Sequence, residues 1–365
     1  MPTILIAAGG TGGHLYPAMA VAEEIRKERP DVKIIFVGTR DRIESREVPK
    51  AGYEFYPINI HAPLRSFTSL VSFPLIFGKA IIDCMRLISK EKPSAMLGAG
   101  AYLSVPAGIA AWSFHVPIAL LEINSVAGAA NKWLGRLAQK LFLAYPEAKN
   151  EFTKKFAEGA TISGTPVRAG LGEITISQED ARASFELDPS QKTILIFGGS
   201  LGARAINQAM ESAAPALTEN GYNILWQTGK SSDAEILREK FSGKTNVRAM
   251  DYIYDMERAY RAADIVVCRA GASSLAELAR LGKAAILVPW SNATANHQEA
   301  NARAFERDGA AIVLTDSQVK EQLLETIVGI MSDEKRRGEM SSYMKRRDNP
   351  DASAIVAKWL IEKIK

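Results

Sequence analysis

Two glycine-rich turns, each directly after a short apolar run, constrain the fold of this chain most. The first turn, Gly9-Gly10-Thr11-Gly12-Gly13-His14, follows the apolar residues 4–8, and a similar segment recurs at residues 194–202. Glycine permits a tight turn at the end of a strand and leaves backbone amides open to an anion at the start of the next helix. The recurrence indicates two α/β halves of similar design.

Short apolar runs alternate with helical periodicity along both halves, which is typical of a parallel sheet covered by helices on both faces. Ligands bind such sheets beyond the carboxyl ends of the strands. We expect a helix over 15–29 and a terminal helix over 349–364, with Asn349 as its N-cap and Pro350 at its first position. Strands are predicted at 3–8, 33–37, 95–97, 117–121, 223–227, 247–250, 265–268, 285–288 and 311–314.

The 365 residues suffice for two domains of ordinary size. A short strand near residue 161 ends in a Gly and Pro turn, and a polar, helix-poor segment follows it to about residue 190. We therefore divide the chain into an N-terminal domain, 1–163, a C-terminal domain, 164–345, and a terminal helix, 346–365.

Composition excludes several classes of protein. A formal net charge of +4 is far from a nucleic-acid-binding profile, although it suits an anionic membrane surface. Two distant cysteines predict no disulfide and a reducing cytosol. We expect no signal peptide, and no apolar run reaches the roughly 18 residues that a membrane span needs.

An apolar patch with a basic fringe covers residues 64–77 and the residues that follow. From Pro74 onward the pattern predicts a helix with Phe77, Ile81, Cys84 and Ile88 on one face, and Lys79, Asp83, Arg86 and Lys90 on the other. This helix either packs on its own domain or meets a membrane surface peripherally. The loop before it is the better membrane candidate.

Two segments carry candidate chemistry. His14 lies where the positive end of a helix dipole favours a neutral imidazole, so it is either a base or a first-turn residue with a satisfied hydrogen bond. Ala272, Ser273 and Ser274 follow an apolar strand and Gly271, which predicts a helix N-terminus that can bind a diphosphate. Glu277, one turn later, either accepts the hydroxyls of a ribose or complements the helix dipole.

Other enzyme classes lack their signatures here. Leu15 stands where a dinucleotide-binding motif needs its third glycine, and the second strand leads to Thr39 and Arg40 rather than an acidic residue. No P-loop and no Asp-x-Asp occur. His14, His61, His115 and His297 form no pair at metal-ligand spacing, so no protein-built metal site is implied.

Four motifs, in order along nearly the whole chain, resemble the enzymes of glycosyltransferase family 28 that add N-acetylglucosamine in peptidoglycan synthesis. They are the opening turn and the segments 164–168, 198–204 and 268–272. The resemblance implies a GT-B architecture, with two Rossmann-like domains whose parallel sheets face across a cleft and a terminal helix that returns to the first domain. It implies inverting transfer from UDP-N-acetylglucosamine to undecaprenyl-diphosphate-N-acetylmuramoyl-pentapeptide (lipid I), giving lipid II. The enzyme would lie on the cytoplasmic face of the membrane, with partners in cell-wall synthesis.

The resemblance also assigns roles to residues. His14 would be the base, and Gly98, Gly100 and Tyr102 would lie on the acceptor side. No cofactor is implied, and a divalent ion with the diphosphate stays open. The residues implied for the donor are Thr11, Gly12, Gly13, Asn124, Arg168, Ser200, Ile253, Ala272, Ser273, Ser274, Leu275, Ala276, Glu277 and Gln298.

The sequence departs from the family at Ala101, where a glycine is usual, and at Leu121 and Ile123, beside Glu122, whose role stays open. These departures affect the residues expected to contact the sugar and the diphosphate of the acceptor. They keep open a related GT-B enzyme that glycosylates another lipid, such as diacylglycerol. A UDP-N-acetylglucosamine 2-epimerase and a non-catalytic nucleotide-sugar sensor are further alternatives. The apolar patch argues against the epimerase, and His14 argues against the sensor.

Overall fold

The computed structural model describes residues 1–60, 67–199, 201–293 and 296–364, with the backbone alone at 67–72 and 232. It divides into two compact units, Met1–Ala169 with Asn349–Lys365, and Gly170–Asp348. The boundaries that we placed from the sequence lie after residues 163 and 345.

The first unit contains a parallel sheet of seven strands in the order β3-β2-β1-β4-β5-β6-β7. The strands are β1 (Thr3–Ala7), β2 (Lys33–Thr39), β3 (Glu54–Ile58), β4 (Ala95–Gly98), β5 (Ile118–Glu122), β6 (Lys140–Leu143) and β7 (Thr161–Ile162). The helices are α1 (Gly12–Glu28), α2 (Glu44–Lys50), α3 (Phe67–Glu91), α4 (Ser104–Ser113), α5 (Ala129–Leu134) and α6 (Lys154–Glu158), with a 3₁₀ helix at Pro146–Glu151.

The second unit contains a parallel sheet of six strands in the order β10-β9-β8-β11-β12-β13. The strands are β8 (Thr193–Phe197), β9 (Asn223–Gln227), β10 (Val247–Met250), β11 (Ile265–Cys268), β12 (Ala285–Leu287) and β13 (Ala311–Val313). The helices are α7 (Gln178–Ser184), α8 (Arg204–Glu219), α9 (Ser232–Lys240), α10 (Met256–Ala262), α11 (Ala272–Leu281), α12 (His297–Arg307), α13 (Val319–Ser332) and α14 (Glu334–Lys345).

Strand order reverses direction at one point in each sheet, between β1 and β4 and between β8 and β11. At such a point the two following loops diverge and leave a crevice at the carboxyl edge, which is where open parallel sheets bind ligands. The glycine turns after β1 and β8 and the loops after β4 and β11 therefore form the candidate sites.

The nine strands predicted by range and the short strand predicted near residue 161 are all present, and the sheets are parallel throughout the described part of the chain. Prediction missed β3, an edge strand that contains Pro57, and the short β6, because neither shows a clear apolar alternation. The segment predicted to be helix-poor contains α7, whose N-cap Ser177 accepts a hydrogen bond from the Asp180 amide at 2.9 Å.

The terminal helix, α15 (Ala352–Ile361), packs against α1 within the first unit. It begins later than predicted, and Asp351 rather than Asn349 is its N-cap. The Asn349 side chain is used elsewhere, since its Oδ1 accepts from the Asp351 amide at 3.2 Å and its Nδ2 donates to the Ser163 carbonyl at 2.7 Å. Asn349 therefore fixes the returning chain beside the end of β7.

The helix α3 begins at Phe67, well before the predicted start at Pro74, so the expected loop is helical from residue 67. The predicted faces are confirmed: Cys84 and Ile88 are buried, whereas Lys79 and Arg86 point outward. Leu75 and Ile82 stay 78% and 50% exposed. His61, Leu64 and Arg65 lie outside the described residues, and no helix in the described ranges is long and apolar enough to cross a membrane.

Candidate active site

His14 lies in the first turn of α1, which begins at Gly12 rather than at the predicted Leu15. Its ring atom Nδ1 lies 3.0 Å from the Ala99 carbonyl oxygen, in the loop after β4. Because a carbonyl only accepts hydrogen bonds, Nδ1 carries a proton, and whenever the ring is neutral its lone pair is therefore on Nε2. The contact thus fixes the tautomer and the orientation that a general base requires.

Gly100 leaves just enough room for this histidine. A Cβ added at Gly100 would lie 2.8 Å from His14 Nδ1, and the residue has a φ of +85°, in the left-handed region that favours glycine. The next residue, Ala101, also has a left-handed φ of 62°. An alanine there costs about 1–2 kcal/mol of backbone strain relative to a glycine.

We predict that Gly100→Ala lowers kcat strongly although His14 itself is intact, because the new methyl group must displace the imidazole or the loop. Steady-state kinetics with the donor and acceptor substrates measure the effect. Gly78→Ala is the matched control, since a Cβ at Gly78 meets nothing within 4 Å. Activity in Gly100→Ala equal to that of the control would show that the position of the ring does not matter.

The other residues that the resemblance implies for the acceptor side lie in or beside this loop. Gly98 is the last residue of β4, and a Cβ there would lie 3.1 Å from Leu120. Tyr102 packs partly buried against the core, and burial raises the pKa of its hydroxyl. Ser104, at the start of α4, donates its hydroxyl to the Ala7 carbonyl at 3.1 Å and so joins the loops that follow β1 and β4.

The carboxylate of Glu44 is a part of the site that the sequence did not reveal. It is fully buried and accepts hydrogen bonds from the amides of Gly10 at 3.1 Å and Thr39 at 2.9 Å, and from the Thr39 hydroxyl at 2.7 Å. The expectation that the opening amides all point outward to an anion is therefore wrong for Gly10. Thr11 is the exposed N-cap of α1, and Gly12 and Gly13 form its first turn.

A second buried carboxylate, Glu122, organises the loop that carries Asn124. Glu122 Oε1 accepts from the Asn124 amide at 3.0 Å and from its Nδ2 at 3.2 Å. Oε2 accepts from the Gly128 amide at 2.9 Å and from Asn131 Nδ2 at 3.0 Å. Four N–H donors satisfy this carboxylate, which holds Asn124 in one orientation.

In the second unit, α11 begins at Ala272 as predicted, with Gly271 as its N-cap and Ser273 and Ser274 in its first turn. The N–H groups of a first helical turn and the helix dipole together make such a helix start a candidate anion site. Leu275 is buried and Ala276 is half-buried. Glu277, half-buried, accepts a 2.8 Å hydrogen bond at Oε2 from the hydroxyl of the buried Tyr260. Tyr260 fixes this carboxylate, and no sequence pattern indicated that role.

Arg269 binds the loop that leads from β12 to α12. Its Nη1 donates to the Val288 carbonyl at 3.0 Å and to Asp316 Oδ1 at 2.6 Å. Burial raises the pKa of Asp316, but hydrogen bonds from Arg269 and Ser291 outweigh burial and leave the pKa below its ordinary value. Gln298, in the first turn of α12, accepts from the Trp290 amide at 3.0 Å, so the same loop fixes its side chain.

The other predicted donor residues are spread along the chain. Ile253 is buried after β10, and its amide donates to Gln227 Oε1 at 2.9 Å. Arg168 is exposed near the end of the first unit's main segment, and Ser200 lies outside the described residues. Within the described ranges, no group of three His, Cys, Asp or Glu side chains is placed to hold a metal ion.

Two α/β units with parallel sheets, each with a candidate site where its strand order reverses, are the architecture of the GT-B class of glycosyltransferases. The first has a histidine in a helix first turn at its switch point. The second has a helix N-terminus with serines and an ordered carboxylate. The match to known families is more specific: residues 4–143 match the glycosyltransferase family 28 N-terminal domain and residues 193–355 match its C-terminal domain. The chain belongs to glycosyltransferase family 28.

Named relatives agree with this assignment. The chain is 38% identical over 359 residues to the UDP-N-acetylglucosamine--N-acetylmuramyl-(pentapeptide) pyrophosphoryl-undecaprenol N-acetylglucosamine transferase of Salinibacter ruber, covering 98% of this chain and 95% of that protein. It is 37% identical to the enzyme of the same name from Chlorobaculum tepidum, covering 98% of each chain.

Among solved structures, the chain resembles MurG of Acinetobacter baumannii, with a TM-score of 0.76 and 28% identity over 99% of this chain and 100% of that one. It also resembles a UDP-N-acetylglucosamine 2-epimerase of Neisseria meningitidis bound to UDP-N-acetylglucosamine, with a TM-score of 0.71, 16% identity and coverage of 99% and 100%. The second likeness shows a shared fold alone.

Proposed function

We propose that this chain transfers N-acetylglucosamine from UDP-N-acetylglucosamine to lipid I and so forms lipid II. Relatives of that activity match almost the whole chain. The structural observation that supports the proposal most directly is the hydrogen bond between His14 Nδ1 and the Ala99 carbonyl, which gives the imidazole the tautomer of a base.

The second unit supplies the donor site in this proposal. The first turn of α11, at Ala272, Ser273 and Ser274, binds the diphosphate, with Leu275 and Ala276 beside it. Glu277 accepts the ribose hydroxyls, while Gln298 hydrogen-bonds the sugar. The Ile253 backbone contacts the uracil of UDP through its carbonyl, because the amide of that residue already donates to Gln227. Thr11, Gly12, Gly13, Asn124, Arg168 and Ser200 add contacts to the donor, and Gly98, Gly100 and Tyr102 contact the acceptor.

The reaction then follows as a single displacement. The acceptor hydroxyl oxygen attacks the anomeric carbon from the face opposite the leaving group, and His14 Nε2 takes its proton. The bond from the anomeric carbon to the phosphate oxygen breaks, and UDP departs with the electron pair. The helix dipole and the serine hydroxyls stabilise the charge that develops on UDP. The product linkage is β because the donor linkage is α.

One assay tests this function against the alternatives. The protein is incubated with labelled UDP-N-acetylglucosamine and a short-chain lipid I analogue, and UDP release is measured together with the disaccharide-lipid product. Transfer to the lipid I analogue is the expected result. Release only with diacylglycerol would assign another lipid acceptor. Epimerisation without any acceptor, or donor binding with no turnover, would also refute the proposal.

We further propose peripheral contact with an anionic membrane surface through α3. Leu75 and Ile82 are exposed on a helix that also presents Lys79 and Arg86 to solvent. Apolar insertion and basic contacts act together in interfacial helices. The double variant Leu75→Ser/Ile82→Ser should bind phosphatidylglycerol vesicles several-fold more weakly in a sedimentation assay. The control is Ile236→Ser in the second unit, where the isoleucine is 65% exposed. Equal binding by the double variant and the control would contradict the proposal.

A further inference from the structure

The side chain of Gln227 joins two loops at the carboxyl edge of the second sheet. Gln227 is the last residue of β9 and is only 4% exposed. Its Nε2 donates to the Gly199 carbonyl at 2.9 Å, and its Oε1 accepts from the Ile253 amide at 2.9 Å. Because β9 lies between β8 and β10, the glutamine connects the loop that follows each neighbouring strand.

The two bonds have opposite polarity, so the position requires a group that both donates and accepts. A carboxamide does both, whereas an ionised carboxylate only accepts. The first unit offers the contrasting case, since there the Glu44 carboxylate takes the Gly10 amide at the corresponding turn. In the second unit the Gln227 side chain bonds to a carbonyl of the turn, so it does not bond to the amides of that turn.

Close backbone packing against Thr228 and Gly229 restricts the conformation of the same turn. A Cβ at Gly202 would lie 2.2 Å from the Thr228 carbonyl oxygen, and one at Gly229 would lie 2.5 Å from the Gly202 amide nitrogen. Arg238 Nη1 also donates to the Gly229 carbonyl at 2.8 Å. The turn after β8 is therefore packed on the end of β9. Gln227 links this turn to Ile253, because its side chain bonds to both.

We propose that Gln227 is a positioning residue of the nucleotide site. It sets the position of the turn at Gly199 relative to the backbone of Ile253. Because it accepts the hydrogen bond of the Ile253 amide, the Ile253 carbonyl is the backbone group that can bind the uracil of UDP. This inference rests on the proposed function, which places the uridine diphosphate in the second unit. Gln227 itself does not touch the reacting atoms.

The variant Gln227→Glu tests the inference because it is nearly isosteric and keeps the acceptor for the Ile253 amide. Above the pKa of the new carboxyl it cannot donate to Gly199, and two oxygen atoms then face each other. UDP affinity, measured by titration calorimetry at pH 8, should fall about 10-fold or more, as expected when a buried hydrogen bond is left unmade. As the pH is lowered, the protonated carboxyl donates again, so affinity relative to the parent protein should recover.

Two further variants make the result specific. Gln208→Glu adds the same charge on an exposed position of α8 and should bind UDP like the parent protein at every pH. Gln227→Met removes both bonds without adding a charge and should bind UDP more weakly at every pH. In turnover assays both Gln227 variants should raise the donor KM with kcat largely kept at saturating donor.

Parent-like UDP binding by Gln227→Glu at pH 8, or a loss that is the same at every pH, would overturn the inference. Thermal unfolding at each pH identifies a variant that does not fold. If Gln227→Glu is unfolded at pH 8, Gln227→Met decides, and parent-like UDP binding by it overturns the inference. Failure of the parent protein to bind UDP would instead refute the proposed function, so the two failures are distinguishable.

Discussion

Replacing His14 with alanine is expected to lower kcat by about 10²- to 10⁴-fold, the usual contribution of a positioned general base. The KM for UDP-N-acetylglucosamine should change little, because the donor is assigned mainly to residues of the second unit. The hydrogen bond to the Ala99 carbonyl is the reason for expecting so large an effect, since it holds the ring in the basic tautomer. Single-turnover measurements with labelled donor separate the chemical step from product release.

His115→Asn is the matched control for this variant. His115 is exposed and has a left-handed φ of 58°, which asparagine tolerates, so the substitution removes an imidazole without new strain. We expect unchanged kcat for the control. A kcat for His14→Ala within a few-fold of the control would remove His14 from the mechanism.

Replacing Glu277 with alanine is expected to raise the donor KM by about 10- to 100-fold, because hydrogen bonds to a charged group contribute about 1.5–3 kcal/mol. The Tyr260 hydroxyl donates to this carboxylate at 2.8 Å, so Tyr260→Phe should produce a smaller increase in the same direction. Initial rates at varied donor concentration, with the acceptor saturating, give both effects.

Glu325→Ala, an exposed position on α13, is the control for the loss of one carboxylate. It should leave both constants unchanged. The assignment of Glu277 to the donor fails if its variant lowers kcat while the donor KM stays at the control value. A free energy of unfolding measured for each variant shows whether Tyr260→Phe acts through the site or through the core.

Sequence reasoning predicted most of the strands and the start of α11 because both depend on local signals: apolar runs, glycine spacing and hydroxyl residues before a helical pattern. It missed the residues that hold the site in shape. Glu44 reaches the Gly10 amide from 34 positions away, and Gln227 reaches Gly199 from 28 positions away. These contacts form because neighbouring strands in a parallel sheet are separated by whole helices, and no local pattern records which side chains then meet.

The errors at helix ends have a similar origin. The sequence pattern predicts a turn at Gly12 and Gly13, yet these glycines begin α1. The packing of the following residues, rather than helix propensity, decides where this helix starts. Asn349 and Pro350 read as a strong helix start, but the Asn349 side chain bonds to Ser163 instead. The tertiary contact in this case outweighs the local preference.

The bond from Asn349 to Ser163 and the packing of α15 on α1 have a consequence for the order of synthesis. The main segment of the first unit precedes the second unit in the chain, but the helix that completes the first unit follows the whole of the second unit. Domains generally fold as units as they emerge. Here the second unit has all of its strands and helices before the first unit does, so the nascent first unit keeps one face of α1 uncovered until the second unit has been synthesised.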